Sequence, residues 1–128
     1  MPVKEAVFTP NSPPPLPFFS QAIKSNGMVY CSGQVGVDPK TGEMVEGSIQ
    51  DRTRQILKNM SAVLEAAGSS IDNVVKVNIF ITAMDNFGAV NEVYKEFFSV
   101  DPKPCRTCVA VYQLPRGTDV EIECTAAL

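Results

Sequence analysis

The chain has 128 residues, of which 45% are hydrophobic, and this size and composition fit one domain, residues 1–128, with one buried core. Its net charge of -3 offers no broad cationic surface for phosphates, so nucleic acid is not expected as a partner. The chain contains no histidine, which excludes Ser-His-Asp and Cys-His hydrolases, HExxH metalloproteases and ribonucleases that use paired histidines.

Features that would direct the chain to a membrane or out of the cell are not visible in the sequence. Residues 1–9 contain neither a charged segment followed by an apolar run nor an Arg-rich amphipathic stretch. No apolar segment approaches the roughly 20 residues that span a bilayer. We therefore expect a soluble protein of the cytoplasm or the mitochondrial matrix, with reduced cysteines.

The first part of the chain predicts an edge strand, a loop and a hairpin. Residues 4–8 have the length of a short edge strand, and the five prolines of residues 10–17 exclude a helix or a central strand there. Residues 20–24 and 28–37 flank Asn26-Gly27, a pair that supplies the positive φ angles of a tight turn. These two segments are predicted to form a β-hairpin.

A helix and a strand are predicted next. Ser48 and Asp51 have the spacing of a capping box, apolar residues then recur at helical spacing, and Gly68 supplies a stop. Beyond it, Val75, Val77, Ile79 and Ile81 alternate with the residues between them. This period of two predicts a strand with one apolar face.

The last third predicts a second helix and two more strands. Asp85 is the expected cap of this helix, whose aromatic stripe is interpreted as core. Residues 106–113 and 118–126 are rich in β-forming residues and are joined by a turn at 114–117. The predicted order is βββαβαββ, an α+β fold with two helices on one face of a mixed sheet.

Two charged residues on the last strands are candidates for chemistry. Alternation puts Arg106 and Cys108 on one face of their strand, and Glu121 opposite the apolar face of the next. If these two strands pair as a hairpin, Arg106 and Glu121 can meet near its open end or across a neighbouring strand, but the sequence does not fix that register. Arg106 could bind a substrate carboxylate while Glu121 orients or activates a water molecule. The alternative is an ordinary cross-strand salt bridge.

Two further motifs have weaker implications. Cys105 and Cys108 form a CxxC, but positions three apart on a strand face opposite ways, which argues against a redox pair or a metal site. Ser32-Gly33 interrupts an apolar strand, where glycine marks either the close approach of a ligand or another backbone, or a bulge. No glycine-rich nucleotide motif is present.

The chain resembles the reactive intermediate imine deaminase (Rid) family, also called the YjgF or endoribonuclease L-PSP family. The resemblance is most specific near the C-terminus and covers nearly the whole chain. The matching segments are 20–22, 32–34, 64–68, 75–77, 90–94, 104–109, 114–115 and 120–123.

This resemblance implies a chorismate-mutase-like fold and a homotrimer with three active-site clefts between subunits. Family members hydrolyse imines and enamines such as 2-aminoacrylate and 2-iminobutanoate to 2-oxo acids and ammonia, without a metal or organic cofactor. By position, the resemblance assigns carboxylate binding to Arg106, the attacking water to Glu121 and the pocket lining to Cys108. Ser32, Gly33 and Asn91 would complete the wall.

One position departs from the family pattern. The family commonly has a tyrosine where this chain has Phe19, so a hydroxyl is missing. The departure implies slower turnover, or a preference for bulkier apolar substrates that pack against Phe18 and Phe19. Two other functions remain open: an endoribonuclease that inhibits translation, and a non-catalytic module that binds carboxylate metabolites or acts as a chaperone.

Overall fold

The computed structural model describes residues 3–128, which form a six-stranded mixed sheet with two α-helices on one face. The chain order is βββαβαββ, as predicted. The strands are β1 (Glu5–Val7), β2 (Ala22–Ser25), β3 (Met28–Gln34), β4 (Val74–Ile81), β5 (Cys105–Ala110) and β6 (Val120–Ala127). The helices are α1 (Ile49–Ala66) and α2 (Phe87–Phe97).

The sheet order is β1-β2-β3-β6-β4-β5, and only the β4–β5 pair is parallel. The condition under which Arg106 and Glu121 could meet, a hairpin of the last two strands, is therefore not met, because β4 lies between β5 and β6. Parallel pairing follows from α2, which carries the chain from the end of β4 back to the start of β5. Strand β5 is left at one edge of the sheet.

The first hairpin forms as predicted. Asn26 and Gly27 have φ angles of 52° and 78°, and Ser25 pairs with Met28 across the turn. Positive φ at both central residues is typical of the turn that matches the twist of antiparallel strands. This hairpin supplies β3, the strand that carries Ser32 and Gly33.

The predicted start of α1 is confirmed, whereas the predicted cap of α2 is wrong. The Asp51 amide donates to Ser48 Oγ, and the Ser48 amide donates to Asp51 Oδ2. Helix α2 follows a single 3-10 turn and begins after Asn86, whose side chain makes no capping bond, so Asp85 is not the cap. Within residues 3–128 neither helix is long and apolar enough to cross a membrane.

The core lies between the helices and one face of the sheet. Val77, Ile79 and Ile81 of β4 are fully or almost fully buried there, together with the alternate residues of β6. Val75 departs from the predicted alternation and is 43% exposed. A register shift between Val74 and Lys76 turns Val74 into the core instead. The opposite face of the sheet has no helix against it.

Candidate active site

The predicted site residues of this chain fall into two groups. The strand register determines which face of the sheet each side chain lies on, because residues paired across neighbouring strands point the same way. Arg106 pairs with Val77 and so faces the helices, while Glu121 pairs with Phe80 and so faces away from them. The helix-side group comprises Asn91, Arg106 and Cys108; the open-side group comprises Phe19, Ser32, Gly33 and Glu121.

Arg106 is held by three side chains of α2. Its Nη1 donates to Asn91 Oδ1 at 2.7 Å. Its Cζ lies 4.7 Å from the centre of the Tyr94 ring and 5.4 Å from that of Phe87. Aromatic faces attract a guanidinium, and the remaining N–H groups stay available for a planar anion. Phe87 and Tyr94 were interpreted from sequence as core; their role here depends on pairing that the sequence does not show.

Cys108 lies beside Arg106 on the same face, as predicted. Burial raises the pKa of the Cys108 thiol, and the positive charge of Arg106 offsets only part of that effect. At neutral pH Cys108 is therefore a thiol, and a thiol is a poor nucleophile. Cys105 faces the other way and donates to the Val75 carbonyl, so the CxxC is not a pair. Among residues 3–128 no cluster of acidic or cysteine side chains could hold a metal.

Glu121 is half-buried on the open face of β6. Burial raises the pKa of its carboxyl, and the negative charge of Glu123 raises it further. Glu123 itself accepts a hydrogen bond from Asn78 Nδ2 at 3.0 Å. A carboxylate whose pKa is raised is a stronger base than an exposed one, which suits it to accept a proton from water.

The short distance between Gly33 and Glu121 explains why residue 33 is a glycine. The β3–β6 register shifts between Cys31 and Gln34, so a bulge is present. A Cβ on residue 33 would lie 2.9 Å from Glu121 Cδ, which is closer than carbon atoms approach without moving. The glycine leaves room for the carboxylate side chain. The bulge is therefore confirmed, whereas the group that comes close to Gly33 is a side chain and not another backbone; the approach of a ligand stays a prediction.

A cavity of about 710 Å³ opens beside Glu121. One wall is a proline arm, which we define as residues 10–19, and the other includes Ser32, Gly33 and Glu121. Ser32 Oγ donates to the Ser20 carbonyl at 2.6 Å, so this hydroxyl fixes the end of the arm to β3.

Gln21 holds the proline arm from below and was not singled out from the sequence. Its Oε1 accepts from the Thr9 amide at 2.8 Å, and its Nε2 donates to the carbonyls of Thr9, Ser12 and Pro13 at 3.0 to 3.4 Å. The side chain is 2% exposed. The sequence does contain a signal for Gln21: it is a polar residue that follows a proline-rich loop and precedes an apolar strand. A buried amide at such a position needs hydrogen-bond partners.

Comparison with known proteins agrees with this architecture. The family model for endoribonuclease L-PSP matches residues 9–128. The chain belongs to the endoribonuclease L-PSP family, also called the Rid family. A 2-iminobutanoate/2-iminopropanoate deaminase of Dermatophagoides farinae is 47% identical over 120 residues, 94% of this chain and 93% of the relative.

Two other Rid-family relatives extend the comparison. Protein mmf1, mitochondrial, of Schizosaccharomyces pombe is 52% identical over 111 residues, which cover 84% of this chain and 67% of the relative. A solved structure of a Rid family protein from Yersinia pestis superposes with a TM-score of 0.95 at 44% identity, covering 98% of this chain and 99% of that one. The resemblance stated from sequence motifs is therefore confirmed.

In this Rid-family chain the two halves of the predicted site do not meet. Arg106 and Glu121 point away from opposite faces of one sheet, so they meet neither across a hairpin nor across a neighbouring strand. The alternative of a cross-strand salt bridge is wrong for the same reason. Within residues 3–128 Arg106 forms no ion pair with a carboxylate. One chain thus carries the Arg106 guanidinium on one face of the sheet and the Glu121 carboxylate on the other.

Proposed function

We propose that this chain is a deaminase that hydrolyses 2-imino acids and their enamine forms, such as 2-aminoacrylate and 2-iminobutanoate, to 2-oxo acids and ammonia. The observation that carries the proposal is a guanidinium fixed by Asn91 and two aromatic rings with N–H groups left over for a carboxylate. The name of the Dermatophagoides relative supports the same reaction.

The complete site is proposed to form between copies of the chain. Because Arg106 and Glu121 lie on opposite faces, a substrate can touch both only if one copy supplies the arginine and its neighbour the glutamate. Contacts between unlike surfaces close into rings when the rotation permits, and a homotrimer with three clefts is such a ring. The open face carries exposed Tyr30 and Val109, which gives this contact apolar area to bury.

Arg106 is proposed to bind the substrate carboxylate. A guanidinium can donate two parallel hydrogen bonds to a carboxylate, and such charge-assisted bonds are roughly twice as strong as neutral ones. Stacking on Tyr94 and the bond from Asn91 hold the guanidinium in place before the substrate arrives, which lowers the entropy lost on binding. Cys108 lines this half of the pocket as a neutral thiol.

Glu121 is proposed to position the attacking water. The water oxygen forms a bond to the imine carbon, the π electron pair moves to nitrogen, and Glu121 accepts a proton from the water. Glu121 then returns its proton to the carbinolamine nitrogen. An oxygen lone pair forms the C=O bond as the C–N bond breaks and ammonia leaves, and the hydroxyl proton passes to Glu121 and from there to solvent, leaving a 2-oxo acid. A protonated imine is already electrophilic, so orientation contributes more than base strength, and the scheme requires neither histidine nor a cofactor.

We further propose that residues 1–128 act as one domain in the cytoplasm or the mitochondrial matrix. The support for the second compartment is the name of the Schizosaccharomyces relative. Fractionation of cells that carry the tagged full chain distinguishes the two.

The reaction is tested by generating 2-iminobutanoate in situ with a threonine dehydratase. Formation of 2-oxobutanoate is followed against the spontaneous rate, with semicarbazide trapping the unhydrolysed imine. Wild type is expected to accelerate hydrolysis, and Arg106→Ala and Glu121→Gln are expected to lose most of this acceleration. Arg54→Ala is the matched control, since Arg54 pairs with Glu96 on the helix surface.

The outcomes distinguish the proposal from its alternatives. Hydrolysis that survives Arg106→Ala would remove the carboxylate anchor. Tight binding of a 2-oxo acid without any acceleration would replace the deaminase by a non-catalytic metabolite-binding module. Loss of activity in Arg54→Ala as well would point to a general defect of folding rather than to the site.

A further inference from the structure

The wall of the cavity beside Glu121 has a chemical character that catalysis does not require. Large apolar side chains on the proline arm stand at its edge, and Phe18 and Phe19 are 81% and 46% exposed. Their rings form an edge-to-face pair with centres 5.7 Å apart. Leu16 lies beside them and is also exposed. Adjacent exposed aromatic side chains in a concave site are typical of a surface that binds an apolar group.

The wall is also rigid. Gln21 fixes residues 9–13 by accepting one hydrogen bond and donating three. The Phe19 amide donates to the Leu16 carbonyl, and the prolines restrict the backbone between these points. The rings therefore have little backbone freedom to lose when a ligand packs on them. A prearranged apolar wall binds an apolar group with a smaller entropy cost than a mobile loop does.

The opposite side of the cavity is acidic. Glu121 and Glu123 face the cavity from β6, and Arg116 is the cation that lines it. A 2-imino acid bound there would direct its positively charged nitrogen toward the carboxylates and its side chain toward the phenylalanine rings. The cavity measures about 710 Å³ in one copy of the chain, and a neighbouring copy that supplies Arg106 would occupy part of it. The six heavy atoms of 2-iminopropanoate fill only a small part of such a volume.

We infer that the wall formed by Leu16, Phe18 and Phe19 selects 2-imino acids with large apolar side chains, of isobutyl or benzyl size, over those with methyl or ethyl side chains. The inference rests on the proposed deaminase function and specifies its substrate class. Hydrophobic pockets distinguish substrates by roughly 10- to 200-fold per methylene. The preference for the larger imines in kcat/KM is accordingly expected to be about tenfold or more.

The test compares imines made in situ by an L-amino-acid oxidase, with catalase present, from leucine, phenylalanine and alanine. For each, kcat/KM is measured above the spontaneous rate. Wild type is expected to prefer the leucine and phenylalanine imines. Phe19→Ala and Phe18→Ala are expected to lower that preference several-fold, while Phe19→Tyr, which keeps the ring, retains most of it. Phe8→Ala is the matched control, an exposed phenylalanine outside the cavity lining.

Each contrary outcome has one meaning. Equal kcat/KM for all three imines would overturn the inference and leave the deaminase intact. No acceleration with any imine would overturn the proposed function itself. If Phe18→Ala and Phe19→Ala keep the assembly intact, measured by analytical ultracentrifugation, and leave the preference unchanged, the rings do not select the substrate side chain and the inference fails.

Discussion

Replacing Gly33 by alanine isolates the position of the Glu121 carboxylate. The new Cβ would lie 2.9 Å from Glu121 Cδ, whereas ordinary contact begins at 3.4 Å, so the carboxylate must move by at least about 0.5 Å. Displacement of a reacting group by about 1 Å can cost 100-fold in rate. We therefore expect kcat/KM for 2-iminobutanoate to fall by roughly 10-fold or more, equivalent to about 1.4 kcal/mol in the barrier.

The fold should tolerate this substitution. The φ angle of Gly33 is not in the left-handed region, and the atoms in the way belong to the end of a flexible side chain. Replacing a glycine in an allowed conformation also stabilises by about 0.4–1 kcal/mol through the unfolded state. The free energy of unfolding, measured in urea at fixed protein concentration, is expected to change by less than about 1 kcal/mol.

Gly88→Ala is the matched control for Gly33→Ala. A Cβ at residue 88 meets no atom within 4 Å, and alanine favours the α2 helix by up to about 1 kcal/mol. Gly88→Ala should keep wild-type activity. Wild-type kcat/KM in Gly33→Ala would show that the placement of Glu121 does not limit the reaction. A loss of several kcal/mol in stability would refute the view that only the carboxylate moves.

Three further substitutions test separate parts of the account. Glu123→Gln removes a negative charge that raises the pKa of Glu121, so the acid limb of the pH profile of kcat/KM should move to lower pH. An acid limb that stays in place, or moves to higher pH, would contradict the role of Glu121 as the ionised base. Gln21→Leu leaves the Thr9 amide and three carbonyls without their partner, and should lower the free energy of unfolding in urea by about 2–4 kcal/mol. The control is Gln113→Leu at an exposed position; equal effects of the two substitutions would show that Gln21 does not hold the proline arm. Cys108→Ala should keep kcat/KM within about fivefold because the thiol is neutral, and a loss of 1000-fold would instead identify a nucleophile.

Local patterns predicted most of the elements of this fold. The turn at Asn26-Gly27, the capping box at Ser48 and the burial of alternate residues on β6 all depend on neighbours in sequence, and all are present. Pairing between distant strands was not predictable in this way. Whether β5 and β6 form a hairpin stayed open, because alternation along a strand does not show which strand it pairs with; in the structure β4 lies between them.

The same distinction between local patterns and long-range pairing applies to the candidate site. Alternation correctly put Cys108 beside Arg106, and of the two interpretations of Gly33 the bulge is confirmed. The aromatic stripe of α2 was assigned to the core, and Phe98 is buried there with Tyr94 and Phe97 packed against it. Phe87 and Tyr94 also contact Arg106, because the β4–β5 pairing brings that side chain under the helix. The separation of Arg106 from Glu121 also follows from register, which the sequence leaves undetermined.

The central claim, that neighbouring copies share one active site, is tested by mixing two inactive variants. Arg106→Ala and Glu121→Gln chains with different affinity tags are co-expressed, and assemblies that carry both tags are purified in two steps. In any mixed ring of three, one cleft receives its arginine and its glutamate from intact positions, so about one third of wild-type activity should return. Activity that stays at the level of each variant alone, in assemblies shown by native mass spectrometry to be mixed, would contradict the shared site.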